Sequence, residues 1–254
     1  MPPEFSSLVP VRWSEIEAVV FDIGGVFLVR HPDPVRNGMA RAGFALPEHT
    51  GTIYHDAHYH SVRALTDVMG DGNINEYARD FWISFEHAYL RHLGVPDEHL
   101  ETAVEGMFTE VFQKEAHPIW RLLLEENIAA FKALGDSGMP VAIVTNNDGT
   151  AEAQMQQFGI CQVGPGPLTN VAAIADSGIL KIAKPEPEIF TPALDALGTH
   201  PNRTLYVGDT VHADVVGATR AGMPVVQLDP LNLHAHLPHT RASGVAEVVA
   251  LLGR

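Results

Sequence analysis

Four short apolar runs constrain this chain more than any other feature: Ala18–Phe21, Val141–Val144, Leu205–Val207 and Val225–Leu228. Each is bounded by turn or polar residues, and none is long enough to make a useful amphipathic helix, so each reads as a short strand buried on both faces. Between them lie stretches with helical spacing, Glu125–Leu134, Pro187–Leu197 and Ala213–Ala221, the last followed by Gly222 as a helix stop. Alternation of buried strands with helices predicts an α/β fold, a doubly wound parallel sheet covered by helices on both sides.

From about Pro34 to about His117 the rhythm changes and no comparable strand is predicted. Within Glu76–Arg91 the residues Tyr77, Phe81, Trp82, Phe85 and Tyr89 recur at helical spacing and read as one apolar seam. The expected organisation is therefore an α/β core, residues 1–33 and 117–254, carrying an α-helical insert, residues 34–116. His55, His58 and His60 lie within that insert. With no cysteine and no carboxylate pattern to complete four ligands, they read as solvated or ligand-facing residues and not as a zinc site. The end of the chain, Leu231–Arg254, with His234, His236 and His239, reads as a final loop and helix without chemistry.

Polar residues stand at the ends of the strands. Asp22 comes directly after the first run, Thr145 and Asn146 after the second, and Asp209 closely after Leu205–Val207, while Lys184 stands in a loop just before Pro185. In open parallel sheets ligands bind outside the carboxyl ends of the strands, so residues far apart in sequence are expected to meet in one crevice. Singly these residues are uninformative, since an aspartate after a strand is usually a turn former or a helix cap. The ordered set of Asp22, Thr145, Lys184 and Asp209 is what discriminates.

Composition bounds the partners. Sixteen Lys and Arg against 31 Asp and Glu give a formal charge of -15, which repels nucleic acid and an anionic membrane surface alike. A small phosphate ester is not excluded, because a local cluster of cation, metal and amide donors suffices to hold it. Hydrophobic residues make up 46% and charged residues 19%, enough apolar surface for a globular chain. Cys161 is the single cysteine, which rules out an intramolecular disulfide and a cysteine metal site and fits a reducing cytoplasm. Met1–Trp13 carries no targeting pattern, no segment has the length of a membrane span, and a monomer or homodimer is expected.

The quoted stretches also resemble a known family. Val20-Phe-Asp-Ile-Gly-Gly-Val26 is similar to the first motif of the haloacid dehalogenase superfamily, Ile143-Val-Thr-Asn146 to the second, Lys184-Pro-Glu-Pro-Glu-Ile-Phe190 to the third, and Val207-Gly-Asp-Thr with Asp214 to the fourth. The resemblance covers about Glu17–Asp33 and His117–Pro230 and places the insert where subfamily I members carry their helical C1 cap. It implies a Rossmann-like core and an Mg²⁺-dependent phosphatase of a small phosphorylated metabolite, with Asp22 as a nucleophile forming an aspartyl-phosphate. The metal ligands it implies are Asp22, the Gly24 carbonyl, Asp209 and Asp214, hard oxygen donors that suit Mg²⁺. Asp214 has a second reading, as the acidic residue at the start of the helix running to Ala221. Thr145, Lys184, Asn146 and Gly25 are implied to bind the phosphoryl group, and Lys184 to neutralise charge in the transition state.

One position departs from the pattern. Most phosphatases of the family carry a second aspartate two residues after the nucleophile, as acid and base, and here that position is Gly24. A positioned general acid is worth roughly 10² to 10⁴ in rate. The departure leaves three readings: substrates with good leaving groups, such as sugar 1-phosphates; an acid from elsewhere, with His31 and the histidines of the insert as candidates; or a protein that binds a phosphorylated ligand and turns it over poorly. A metal-free 2-haloacid dehalogenase is the alternative chemistry, and the intact Gly208-Asp209-Thr210 with Asp214 speaks against it.

Overall fold

The computed structural model describes residues 3–46, 52–68, 79–113 and 119–254, with the side chains of 3–4, 79–80 and 110–113 left aside. Its strands are β1 (Ala18–Phe21), β2 (Leu28–Arg30), β3 (Trp120–Leu123), β4 (Val141–Thr145), β5 (Cys161–Val163), β6 (Thr169–Val171), β7 (Ile174–Asp176), β8 (Thr204–Gly208), β9 (Val225–Leu228) and β10 (Thr240–Ala242). Its helices are α1 (Pro32–Arg41), α2 (Ile53–Val68), α3 (Arg79–His92), α4 (Leu100–Gln113), α5 (Glu125–Asp136), α6 (Ala151–Gln157), α7 (Ser177–Leu180), α8 (Thr191–Leu197), α9 (Val216–Arg220) and α10 (Val245–Leu251). Two compact units result, Met1–Phe27 with Leu124–Arg254, and Leu28–Leu123.

The first unit is built on a six-stranded parallel sheet in the order β10-β9-β8-β1-β4-β7. The doubly wound α/β prediction is met. All four predicted runs are strands, and the central one is solvent-free: Ala18, Val19, Val20 and Phe21 each have 0% exposure. Such a strand has helices over both faces, which is why it reads as an unbroken apolar run. Phe21, Phe27 and Phe131 form a ring cluster with centroids 4.8–5.7 Å apart beside it, and α5 packs against α10.

Two sheet strands escape the hydropathy pattern. β7 and β10 lie at the sheet's edges, where a strand of three residues needs no continuous apolar run. The carboxyl-terminal stretch is accordingly not just loop and helix: Thr240–Ala242 pairs in parallel with β9 before α10 begins. The predicted helix Pro187–Leu197 opens as a 3₁₀ turn over Pro187–Phe190. Ala213–Ala221 is entered through a π-helical turn, Val211–Val215, and the chain leaves at Gly222 with φ 75°.

In the second unit α2 packs on α3 and α1 on α4, and β2 pairs antiparallel with β3. Its core holds Tyr54, Val62, Leu65, Phe81, Phe85, Tyr89, Leu93 and Met107. The predicted seam needs a correction at Trp82, which is 36% exposed while Phe81, Phe85 and Tyr89 are buried. Those three stand at successive four-residue steps along one stripe, and Trp82 is rotated about 100° off it. Tyr77 and His117 lie outside the described residues. Arg30 makes a buried two-pronged ion pair with Glu86, Nη1 to Oε2 at 2.6 Å and Nη2 to Oε1 at 2.5 Å, under the rings of Phe85, Tyr89 and Trp120. The three histidines go to separate tasks: His55 contacts Asp56, His58 is buried edge-on to Tyr59, Phe85 and Trp120, and His60 stacks on His92.

Candidate active site

Parallel register puts the polar strand ends side by side. β1 lies between β8 and β4, so Phe21 pairs with Val207 on one side and Ile143 on the other, and the next residues on all three strands emerge at one sheet edge. Asp22 stays tied to the sheet through its N–H, which donates to the Val207 carbonyl at 2.9 Å. Asp22, Thr145, Lys184, Asp209 and Asp214 are each no more than 8% exposed. Asp22, Asp209 and Asp214 offer carboxylate oxygens within 4.8 Å of one another, the one such metal-competent group among the described residues.

Lys184 is the counter-ion at the centre. Its Nζ lies 2.9 Å from Asp22 Oδ1, 2.7 Å from Asp214 Oδ1 and 2.9 Å from the Tyr206 hydroxyl. Its main chain is held as firmly: Asn146 Oδ1 accepts the Lys184 N–H at 2.8 Å and Asn146 Nδ2 donates to the Lys184 carbonyl at 3.0 Å. This reciprocal pair fixes the loop carrying Lys184 to the end of β4.

Asp214 is engaged at both oxygens. Its Oδ2 accepts from the Thr210 N–H at 2.8 Å and the Thr210 hydroxyl at 2.6 Å, closing the entry to the helical turn, while Oδ1 accepts from Lys184 and from Tyr206 at 2.8 Å. A carboxylate has about four lone-pair directions, and these contacts use them. Gly208 makes the approach feasible: a Cβ there would stand 2.3 Å from Asp214 Cγ.

Three buried carboxylates share one ammonium, and the electrostatics register the imbalance. Burial, and then the charges of Asp214 and Asp209, push Asp22 up to about 7 despite the opposing pull of Lys184. Burial and the neighbouring Asp214 push Asp209 up to about 8. For Asp214 burial acts in the same upward direction, but Lys184 and the Thr210 bonds outweigh it and hold the group below its ordinary value. Burial disfavours the Lys184 ammonium, yet Asp214 and Asp22 raise it overall. A small divalent cation with a preference for oxygen ligands would balance this set, so the residues present fit Mg²⁺.

Gly25 lies in the left-handed region with φ 63°, in the turn after Asp22, and Gly24 is half-buried. His31 lies in the second unit, where its Nδ1 accepts the Asp33 N–H at 3.3 Å and caps α1; burial, then the charge of Arg121, lower its pKa. The sequence reading missed Tyr206, although a tyrosine in a fully buried strand signals a hydroxyl needing a partner. It also missed Asp176, which accepts from the N–H groups of Gly149, Ala151 and Gly178 at 2.8–3.0 Å and fastens the loop after Asn146. Asp-Ser-Gly as a cap sequence was the available signal.

A family model described as haloacid dehalogenase-like hydrolase matches residues 16–222, more than half of the chain and all of the site. The chain belongs to this family of hydrolases. Among curated proteins this hydrolase is 28% identical to N-acylneuraminate-9-phosphatase of Rattus norvegicus over 174 residues, 62% of this chain and 67% of that one. It is 35% identical to phosphoserine phosphatase of Thermus thermophilus over 145 residues, 57% of this chain and 53% of the relative, so the match spans about half to two thirds of those proteins. Among solved structures, a putative HAD-hydrolase of Bacillus subtilis bound to magnesium superposes with a TM-score of 0.57 at 16% identity, over 94% of this chain and 99% of that one, a likeness of fold. In the described part of this hydrolase no helix is long and apolar enough to cross a membrane.

Proposed function

We propose that this hydrolase is a phosphatase of a small phosphorylated metabolite, working through an aspartyl-phosphate on Asp22. The observation that carries the reading is the buried set of three carboxylates, Asp22, Asp209 and Asp214, around the Lys184 ammonium, which pairs with two of them. Such a deficit of positive charge suits a reaction that brings in a cation and a phosphate ester together. That the chain's matched relatives in Rattus norvegicus and Thermus thermophilus are phosphatases by name supports the same class.

In this reading an Asp22 carboxylate oxygen attacks phosphorus while the bond to the leaving oxygen breaks, and water then attacks the acyl phosphate to free Asp22 and inorganic phosphate. Asp22, Asp209 and the Gly24 carbonyl are the ligands we assign to Mg²⁺, with Asp214 turned toward Lys184 and Thr210 and bordering the metal. The metal, when bound, would offset the repulsion between the carboxylate and the phosphoryl oxygens. Lys184 supplies fixed positive charge to the phosphoryl group, and Thr145 and the main chain at Gly25 and Asn146 supply hydrogen bonds. Gly24 has no proton to give, so the reaction suits a leaving group that is stable as an anion or draws its proton from water or from another residue. We infer a preference for sugar 1-phosphates and for acyl or aryl phosphates, with the insert at 34–116 as an α-helical cap domain, in a cytoplasmic monomer or homodimer.

The test is hydrolysis of an aryl phosphate by the wild type, Asp22→Asn and Gly24→Asp, each with Mg²⁺ and with EDTA. Turnover should need Mg²⁺ and vanish in Asp22→Asn, and Gly24→Asp should gain on alkyl phosphates, the poorer leaving groups. Release of chloride from a 2-haloacid in EDTA, with no phosphate released from any ester of a sugar and aryl phosphate panel, would overturn the reading.

A further inference from the structure

We infer that Tyr206 is a positioning residue for Lys184, setting the direction of the ammonium so that it lies against Asp22 without hydrogen-bonding it; this rests on the phosphatase reading for its kinetic consequence but not for its geometry. Tyr206 has 0% exposure and sits in the middle of β8, paired with Val20 and Val225, so its backbone has no freedom to drift. Its ring is braced edge-on by Phe190, with centroids 5.1 Å apart at 83°. A rigid strand and a packed ring thus place the hydroxyl at a fixed point.

That point is where the lysine needs an acceptor. An ammonium has three protons, and Lys184 Nζ has contacts with Asp22 Oδ1 at 2.9 Å, Asp214 Oδ1 at 2.7 Å and Tyr206 Oη at 2.9 Å. Tyr206 in turn has one proton and two acceptors in reach, Asp214 Oδ1 at 2.8 Å and the Val144 carbonyl at 3.2 Å. The shorter contact to the charged oxygen takes the proton, which turns the hydroxyl's lone pairs toward Lys184. Asp214 therefore meets the ammonium directly and through the tyrosine, and the third N–H is spent on a neutral oxygen. Asp22 Oδ1 keeps a 2.9 Å ionic contact with the ammonium but no hydrogen bond, so the bonds to Asp214 and Tyr206 are what set its direction.

Removing only the hydroxyl would leave a lysine proton without an acceptor in a site closed to solvent, a costly condition relieved by swinging toward Asp22. The ammonium would then pair more tightly with the nucleophile in its resting state. A rise in the barrier with little change in substrate binding is the expected signature.

The experiment compares wild type and Tyr206→Phe by two readouts. In ¹⁵N-lysine-labelled protein at low temperature, the Lys184 ammonium, identified by its loss in Lys184→Arg, should show slow proton exchange, and Tyr206→Phe should speed that exchange at least tenfold. On an aryl phosphate, kcat should fall about tenfold with KM within twofold, and the same change made in a Lys184→Ala background should cost nothing further, as a residue acting through Lys184 requires. Exchange and kcat both within twofold of wild type would overturn the inference, as would an equal loss in the Lys184→Ala background. If the wild type turns over no phosphate ester, the phosphatase reading fails and the exchange rate alone decides the role of Tyr206. Should Tyr206→Phe melt well below wild type, 3-fluorotyrosine placed at position 206 keeps the shape and weakens the acceptor, and a severalfold faster exchange is again expected.

Discussion

At the scale of single residues, the site depends on how closely charged side chains approach the backbone that holds them. Asp214 is the clearest case, with both oxygens engaged by Lys184, Tyr206 and Thr210. Gly208 gives it the room, because any larger residue puts a Cβ 2.3 Å from its carboxyl carbon. Gly208→Ala should therefore cost about 1–3 kcal/mol of stability, the usual range for overpacking a filled interior. The displaced Asp214 would carry Lys184 with it, so turnover should fall by at least about tenfold. Urea unfolding and aryl phosphate hydrolysis measure the two effects, and a variant with wild-type values in both would show that Asp214 can shift without consequence.

At the scale of elements, the sheet's far end supports the site through a polar chain that the sequence reading dismissed. The Gln227 side chain on β9 donates to the Asp209 carbonyl at 2.8 Å and accepts at 2.7 Å from His239 Nε2, just before β10. His239 is buried and stacks on Phe5, and burial, followed by the charge of Arg241, pushes its pKa down from 6.5 to about 3. The unfolded chain binds this proton near 6.5 and the folded chain only near 3, so the unfolded state takes up protons first. The stability associated with neutral His239 is complete above pH 6.5 and is lost as the pH falls from there toward 3. The loss should reach about 2 kcal/mol by pH 5. Urea unfolding at pH 7, 6 and 5 should show this slope in the wild type and a flatter one in His239→Gln, whose deficit at pH 7 shrinks in acid. Parallel slopes would place the acid sensitivity elsewhere.

For the whole molecule, 31 acidic against 16 basic residues already strain the folded state, and burying three carboxylates together adds to that strain. A bound divalent cation should consequently act as a stabiliser of the entire chain. At one hundred times its dissociation constant, Mg²⁺ should add about 2.7 kcal/mol and raise Tm by about 5 °C or more. In Asp209→Asn the shift should disappear while the metal-free variant melts no lower than the metal-free wild type, since the removed charge is one that burial disfavours. An equal Mg²⁺ shift in both proteins would show that the cation binds outside the carboxylate set.

The amino-acid sequence alone determined the class of fold and pointed to Asp22, Thr145, Lys184 and Asp209 as candidates for the site, because both are written in local chemistry. Buried parallel strands such as Ala18–Phe21 must be apolar throughout, and a strand that is apolar throughout is conspicuous. Asp22, Thr145 and Asp209 were legible because they break such runs at their ends. Edge strands β7 and β10 were not, being short and half-covered, and Trp82 was misplaced because helical spacing alone does not fix the width of a buried face. What the tertiary structure decided is who holds whom. That Asn146 clamps the main chain of Lys184, that Asp214 serves Lys184 and Thr210 at once, and that Tyr206 completes the ammonium are facts of distance between segments up to 62 residues apart. Hydrogen bonds act over about 3 Å in space and carry no trace in sequence spacing, so only the folded sheet brings them to light.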